Sequence, residues 1–181
     1  MRLLAFYAPY PGAGKTLAAR WAARRLSLRR LSFGTPLRYA VRDWLDYPHT
    51  YRWPPIADPE DKEAKIKDLG VSWRELMVAV GNACRSLTPD FWVRLMARQM
   101  DMYPFDYVVD DLRFQNEYDF LLARGAKIIR IEKPGREIVT TSTEGRLEGN
   151  RFDAVIANTK ENLRAYLRDV EEAARYVLQG R

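Results

Sequence analysis

Six consecutive residues, Pro11-Gly12-Ala13-Gly14-Lys15-Thr16, constrain this chain more than any others. The apolar run Leu3-Leu4-Ala5-Phe6-Tyr7 leads into them, and the helix-forming run Leu17-Ala18-Ala19-Arg20-Trp21-Ala22-Ala23 leaves them. Strand, glycine-rich turn, Lys-Thr and helix together make the layout of a phosphate-binding loop. Glycines let the backbone curl until successive N–H groups point at one anion, and the following helix adds its positive end. In such a loop Gly12, Ala13, Gly14, Lys15 and Thr16 cradle the phosphates of a nucleotide such as ATP. Lys15 reaches the β- and γ-phosphates, and the Thr16 hydroxyl ligates Mg²⁺. The full pattern has a further glycine where this chain has Pro9. Proline has no N–H to donate, so the anion nest must come from the amides of residues 12 to 16. The alternative for the same residues is a tight turn before a helix, with Lys15 on the surface.

At 181 residues, 47% of them hydrophobic and 30% charged, the chain reads as one globular domain with a sizeable core. No apolar run approaches membrane-spanning length and the N-terminus lacks a signal-peptide pattern, so the expectation is a cytoplasmic protein without a membrane partner. Cys84 and His49 are the single cysteine and histidine, which excludes an intrachain disulfide and zinc sites built from several Cys and His. The formal charge is +6, carried by 23 arginines and 7 lysines. Arginine suits bidentate phosphate contacts, whether on small phosphorylated substrates or on nucleic acid.

Taken in order, 2–7 read as a buried strand, 15–26 as the helix of the phosphate loop and Leu28 to Phe33 as a second strand. Thr35-Pro36 starts a helix with Thr as N-cap and an apolar face of Leu37, Ala40, Val41, Trp44 and Leu45. Tyr47 to Gly70, with four prolines and three aromatics, reads as an ordered excursion. Ser72-Trp73-Arg74-Glu75 fits a capping box opening a helix to about Leu87, with Leu76, Val80, Ala83, Cys84 and Leu87 on one face. Thr88-Pro89-Asp90 starts another, its face Trp92, Leu95, Met96, Gln99 and Met100. Tyr107-Val108-Val109 is a short strand ending in Asp110-Asp111, where a Mg²⁺-organising carboxylate belongs in an α/β sheet. A helix over 114–124 closed by Gly125, a strand from Lys127 to Ile131, a lid over 132–150, a strand at Ala154-Val155-Ile156 and an amphipathic helix from Leu163 to Leu178 complete the chain. Five strands alternating with helices predict a three-layer α/β domain with a five-stranded parallel sheet, a helical block over about 35–104 and no second domain.

At Asp111-Leu112-Arg113-Phe114-Gln115-Asn116-Glu117 the chain resembles the phage-type deoxynucleoside monophosphate kinases, whose signature reads Asp-Val-Arg-Phe-x-Asn-Glu. Phe33-Gly34-Thr35-Pro36-Leu37-Arg38, Gly81-Asn82-Ala83-Cys84-Arg85, Asp90-Phe91-Trp92-Val93, Ile129 to Gly135, Ser142-Thr143-Glu144 and Asp153 to Asn158 follow in family order. Departures are Pro9, Thr140-Thr141 where the family often has a histidine, and Glu132-Lys133 at the lid entry. The resemblance implies a P-loop kinase fold and transfer of the ATP γ-phosphoryl group to a deoxynucleoside monophosphate, with Mg²⁺ as the metal, and it suggests a homodimer. Because the acceptor is already an anion, the reaction needs cations, alignment and exclusion of water more than a strong base.

On that resemblance Lys15, Asp111, Arg85 and Arg113 carry the chemistry, with Thr16 and Asp111 toward the metal. Arg38, Arg74, Arg85 and Arg113 take the acceptor phosphate. Each of these arginines also has the plain reading of a surface charge or a salt bridge. Glu117, one helical turn after Arg113, orients it. Asn158 lies near the adenine, and Lys133 and Arg136 belong to the lid. Phe91 or Trp92 walls the sugar at C2′, although the spacing of Trp92 also fits a core position. Two other functions compete. One is a P-loop kinase for a different small acceptor. The other is a basic nucleotide-switched protein on nucleic acid, against which stand dispersed basic residues and the lack of a recognisable nucleic-acid module.

Overall fold

The computed structural model describes residues 1–45, 63–66, 69–136, 138, 146–159 and 162–179. Most of the excursion between Tyr47 and Gly70, His49 within it, and Thr140 to Glu144 of the expected lid lie outside the described residues. The chain forms two compact units, Met1–Phe33 with Met96–Arg181, and Gly34–Leu95.

The first unit is built on five parallel strands, β1 (Leu3–Tyr7), β2 (Arg29–Leu31), β3 (Tyr107–Val109), β4 (Lys127–Glu132) and β5 (Ala154–Ala157), in the order β2-β3-β1-β4-β5. Parallel neighbours need crossovers, supplied here by α1 (Lys15–Leu26) between β1 and β2 and by α5 (Gln115–Ala123) between β3 and β4, among others, while α6 (Leu163–Gln179) follows the last strand and packs on the sheet beside α1. β1 is central and every one of its residues is buried, as a parallel strand covered on both faces must be. Leu4, Phe6 and Ala8 face one cluster with Val108, Ile129, Ile131, and with Ala18, Ala19 and Ala22 of α1 and Tyr166, Val170, Ala174 and Val177 of α6. Alanines at the α1 contact let the helix lie close to the sheet. Emptying the centre of this cluster, as Phe6→Ala would, costs about 3–5 kcal/mol. On the other face Tyr7 stacks on Phe152 at 5.3 Å, and Tyr118 of α5 meets Phe152 edge-on at 6.2 Å. The edge strand β2 exposes Arg29 and Arg30, charges that discourage pairing with another chain.

The second unit holds α2 (Thr35–Leu45) and α3 (Trp73–Leu87), and α4 (Phe91–Met102) begins in it. α3 opens on the expected capping box: Ser72 Oγ accepts from the Glu75 N–H at 3.2 Å, and Glu75 Oε2 accepts from the Ser72 N–H at 2.7 Å. The other two helix starts differ from expectation. Arg38 N donates to Gly34 O, so Gly34 and not Thr35 provides the first helical acceptor of α2. Thr88 N–H is spent on Cys84 O at the end of α3, and Asp90 O takes the first bond of α4 from Arg94. The apolar faces are also rotated. On α3 Trp73 and Gly81 are buried, while Leu87 is 83% exposed. On α4 Trp92, Val93, Met96 and Met100 are buried and Gln99 is exposed.

Candidate active site

β1 ends at Tyr7 and hands the chain to the loop that opens α1. Gly12 (φ 70°) and Gly14 (φ 100°) take the positive φ values that curl it. Gly14 is the N-cap of α1, and its conformation is enforced twice over. A Cβ there would lie 2.7 Å from Asn158 Nδ2 and 3.0 Å from the Tyr166 hydroxyl. Those two groups donate to the loop's carbonyls: Asn158 Nδ2 to Ala13 O at 2.9 Å and Tyr166 OH to Gly14 O at 3.2 Å. Ala13 is buried. The Lys15 side chain is buried too and folds back so that Nζ donates to Ala8 O at 3.3 Å. Thr16, the second residue of α1, is exposed.

Tyr10 joins this loop to the end of β4. Its hydroxyl donates to Lys133 O at 3.2 Å and accepts from the Lys133 N–H. Lys133 is half-buried and Arg136 exposed, in a turn where Arg136 N donates to Lys133 O. Further on, a turn at Arg146–Gly149 returns to the sheet. Leu147 is fully buried, and Glu148 accepts from the Tyr7 hydroxyl at 3.1 Å and from Arg130 Nη1 at 2.9 Å. Burial pushes the phenols of Tyr7 and Tyr166 far above the ordinary tyrosine range, so both remain hydrogen-bond donors at any working pH.

The two carboxylates after β3 have different partners. Asp110 is buried and paired with Arg30 Nη2 at 2.7 Å. Asp111 accepts from the Ser32 hydroxyl at 2.6 Å and from the Phe33 N–H at 2.9 Å, fastening the chain that leaves β2. Beyond them Arg113 is half-buried. Glu117, 2% exposed, accepts with Oε2 from the backbone N–H groups of Arg113 (2.9 Å) and Phe114 (3.1 Å). Glu117 therefore holds the main chain at Arg113.

In the second unit Arg38 Nη2 lies 3.4 Å from Thr35 Oγ1, and Arg74 is exposed and ion-paired with Glu63. Gly81 is the meeting point of that unit. A Cβ there would lie 3.3 Å from Leu37 Cδ2 and 3.5 Å from Arg85 Nη1, and its carbonyl accepts from Trp92 Nε1 at 3.1 Å. Trp92 is buried, with Phe91 half-buried edge-on against it at 4.8 Å. Among the described residues no three His, Cys, Asp or Glu side chains group as a metal site. No described helix is long and apolar enough to cross a membrane.

Sequence reasoning missed Tyr10, Tyr166 and Ser32 as parts of the site. Tyr166 read as one of several apolar positions on α6, and its spacing holds no sign that its hydroxyl reaches the loop. Asn158, expected beside the adenine, is bonded to the phosphate loop itself.

Comparison with known proteins agrees with this architecture. The deoxynucleotide monophosphate kinase family model matches residues 51–167. A protein of Acanthamoeba polyphaga mimivirus, provisionally named as a deoxynucleotide monophosphate kinase, is 27% identical over 168 residues, covering 82% of this chain and 84% of its own length. Among solved structures, the fold is similar to a sugar kinase from Janibacter sp. HTCC2649 (TM-score 0.50, 17% identity, 99% of this chain and 95% of that one). It is also similar to a dephospho-CoA kinase from Campylobacter jejuni (TM-score 0.52, 13% identity, 99% of each chain). The chain has a P-loop kinase fold, and with the family model spanning more than half its length it belongs to the deoxynucleotide monophosphate kinase family.

Proposed function

We propose that this kinase transfers the γ-phosphoryl group of ATP to a deoxynucleoside monophosphate, giving a deoxynucleoside diphosphate and ADP. One observation carries the reading. β1 and β3 are adjacent and parallel, so the phosphate loop after β1 and the Asp111–Glu117 signature after β3 leave the same edge of the sheet side by side. Ligands of open α/β sheets bind at that edge.

In this reading the amides of residues 12 to 16 and the Lys15 ammonium hold the donor phosphates, and Lys133 and Arg136 add charge from the start of the lid. Lys15 then leaves Ala8 O for the stronger, charged acceptor. Arg38, Arg74, Arg85 and Arg113 take the acceptor phosphate, and Glu117 fixes the backbone that carries Arg113. Phe91 or Trp92 walls the deoxyribose. Phe91 is the better candidate, because the Trp92 indole is committed to Gly81 O.

The donor set suits Mg²⁺. That ion takes one or two carboxylates and completes its shell with water and phosphate oxygens, so a cluster of three acids is not required. Thr16 and Asp111 would hold it, and it would neutralise charge on the β- and γ-phosphate oxygens. One observation favours Asp110 as a second reading for the carboxylate: it lies two residues after Val108, which belongs to the cluster that α1 packs on, so strand alternation aims it toward the phosphate-loop face.

The test is ADP release across ribo- and deoxynucleoside monophosphates, with DNA as a competing ligand. A sugar-facing wall leaves a 2′-hydroxyl unpaired and crowded, at about 1–3 kcal/mol, so kcat/KM for GMP should be at least about tenfold below that for dGMP. Equal values would sink the deoxy-specific reading. Turnover only with a non-nucleotide acceptor would point to another small-molecule kinase, and DNA-stimulated ATP hydrolysis without transfer would point to a nucleic-acid protein.

A further inference from the structure

Resting on the phosphate-loop reading above, we propose that Asn158 and Tyr166 are positioning residues for the donor phosphates, holding the carbonyls of Ala13 and Gly14 so that the N–H groups of Gly14 and Lys15 face the anion. A trans peptide points its C=O and N–H in opposite directions. The peptide whose oxygen Asn158 takes at 2.9 Å carries the Gly14 N–H. The peptide whose oxygen Tyr166 takes at 3.2 Å carries the Lys15 N–H, and Ala18 N shares that oxygen at 2.9 Å. Fixing the oxygens on one side therefore fixes the donors on the other.

The loop needs such a brace. Glycine crosses freely between positive and negative φ, so the Ala13–Gly14 peptide, with Gly14 at its nitrogen, has little of its own to prevent a flip that would aim a carbonyl at the phosphates. Both braces are rigidly mounted. Asn158 is 8% exposed, and its own N–H donates to Glu132 O at 2.8 Å at the end of β4. Tyr166 is 3% exposed within the α1–α6 cluster. This arrangement gives Asn158 a role toward phosphate, independent of the base it was expected to neighbour.

The experiment compares equilibrium binding of MgATP and of magnesium tripolyphosphate, which has no base, to the unaltered protein, Asn158→Ala and Tyr166→Phe. Each lost bond should weaken both ligands by the same factor, about three- to tenfold, while the acceptor KM stays unchanged. A purely structural role would lower the folded fraction and the Tm without moving Kd. Tyr166→Phe keeps the ring and its packing, so it carries the test if Asn158→Ala does not fold. Weaker ATP binding with unchanged tripolyphosphate binding would overturn the brace and return Asn158 to the adenine. Unchanged Kd for both ligands would overturn it for both residues. If the unaltered protein binds neither ligand, the phosphate-loop reading itself falls and the brace with it.

Discussion

Gly14→Ala puts the convergence of three chain segments to a quantitative test. At φ 100° an L-residue is strained by about 1–2 kcal/mol. The added Cβ would sit 2.7 Å from Asn158 Nδ2, which must withdraw and give up its bond to Ala13 O, a further loss of about 1 kcal/mol. The total is about 2–3 kcal/mol, which for a chain of this size lowers Tm by about 4–12 °C. Gly149→Ala is the control. Its φ is 93°, but a Cβ there meets nothing within 4 Å, so it bears the backbone strain alone. Calorimetry of both variants should find Gly14→Ala the less stable by about 1 kcal/mol. In the Asn158→Ala background, where the obstructing amide is gone, that excess should shrink to what the Tyr166 hydroxyl, 3.0 Å from the added Cβ, still imposes. If Gly14→Ala melts with or above Gly149→Ala, the close approach at the loop does not have the energetic weight assigned to it.

Three other outcomes follow from the same geometry. Lys15→Ala should keep its fold by circular dichroism and lose on the order of a thousandfold in turnover, since it removes the charge that stabilises the transferring group; near-normal turnover would refute the phosphate-loop assignment. In magnesium titrations Asp111→Asn should lose more activity than Asp110→Asn, and the reverse order would move the metal to the Arg30-paired carboxylate. The Lys65 ammonium, followed by the Ser72 backbone and hydroxyl, lowers the Glu75 carboxyl to about 2. A depressed carboxylate contributes stability that is present above its unfolded pKa, about 4.3, and is lost as pH falls toward the folded value. Denaturant melts should therefore show the advantage of the natural protein over Glu75→Gln shrinking between about pH 5 and pH 2, and a constant gap would refute the capping role of the charge.

What was legible in the sequence was local. The strand, turn and helix around Lys15 are contiguous, and the Ser72–Glu75 cap spans one helical turn, so both could be read at sight. Thr35 and Thr88 misled for different reasons: Gly34, one residue before Thr35, supplies the first acceptor of α2, whereas Thr88 caps the end of α3 and the first bond of α4 goes to Asp90 O. On α4 Trp92 keeps its expected inward place, its indole bonded to Gly81 O, while Val93 is buried beside it and Gln99 lies outside. Nothing local reports the strand order, nor that Asn158 and Tyr166 return to a loop roughly 150 residues earlier. Arg85 and Arg113 were readable as candidates through their motifs. The bonds of Glu117 Oε2 to the backbone amides of Arg113 and Phe114 were not, because the spacing of a carboxylate from an arginine says nothing of main-chain partners.

Both hydrogen bonds of the Tyr10 hydroxyl to residue 133 go to that residue's main chain. The tie therefore reads the path of the backbone and ignores the side chain hung upon it. Replacing the family's arginine-centred entry with Glu132-Lys133 leaves the tie intact, and so would nearly any exchange at 133. Proline, without an N–H, is the exception. The tie tolerates most exchanges at 133, so a graft of a foreign segment onto this scaffold should begin after residue 133 and keep Tyr10.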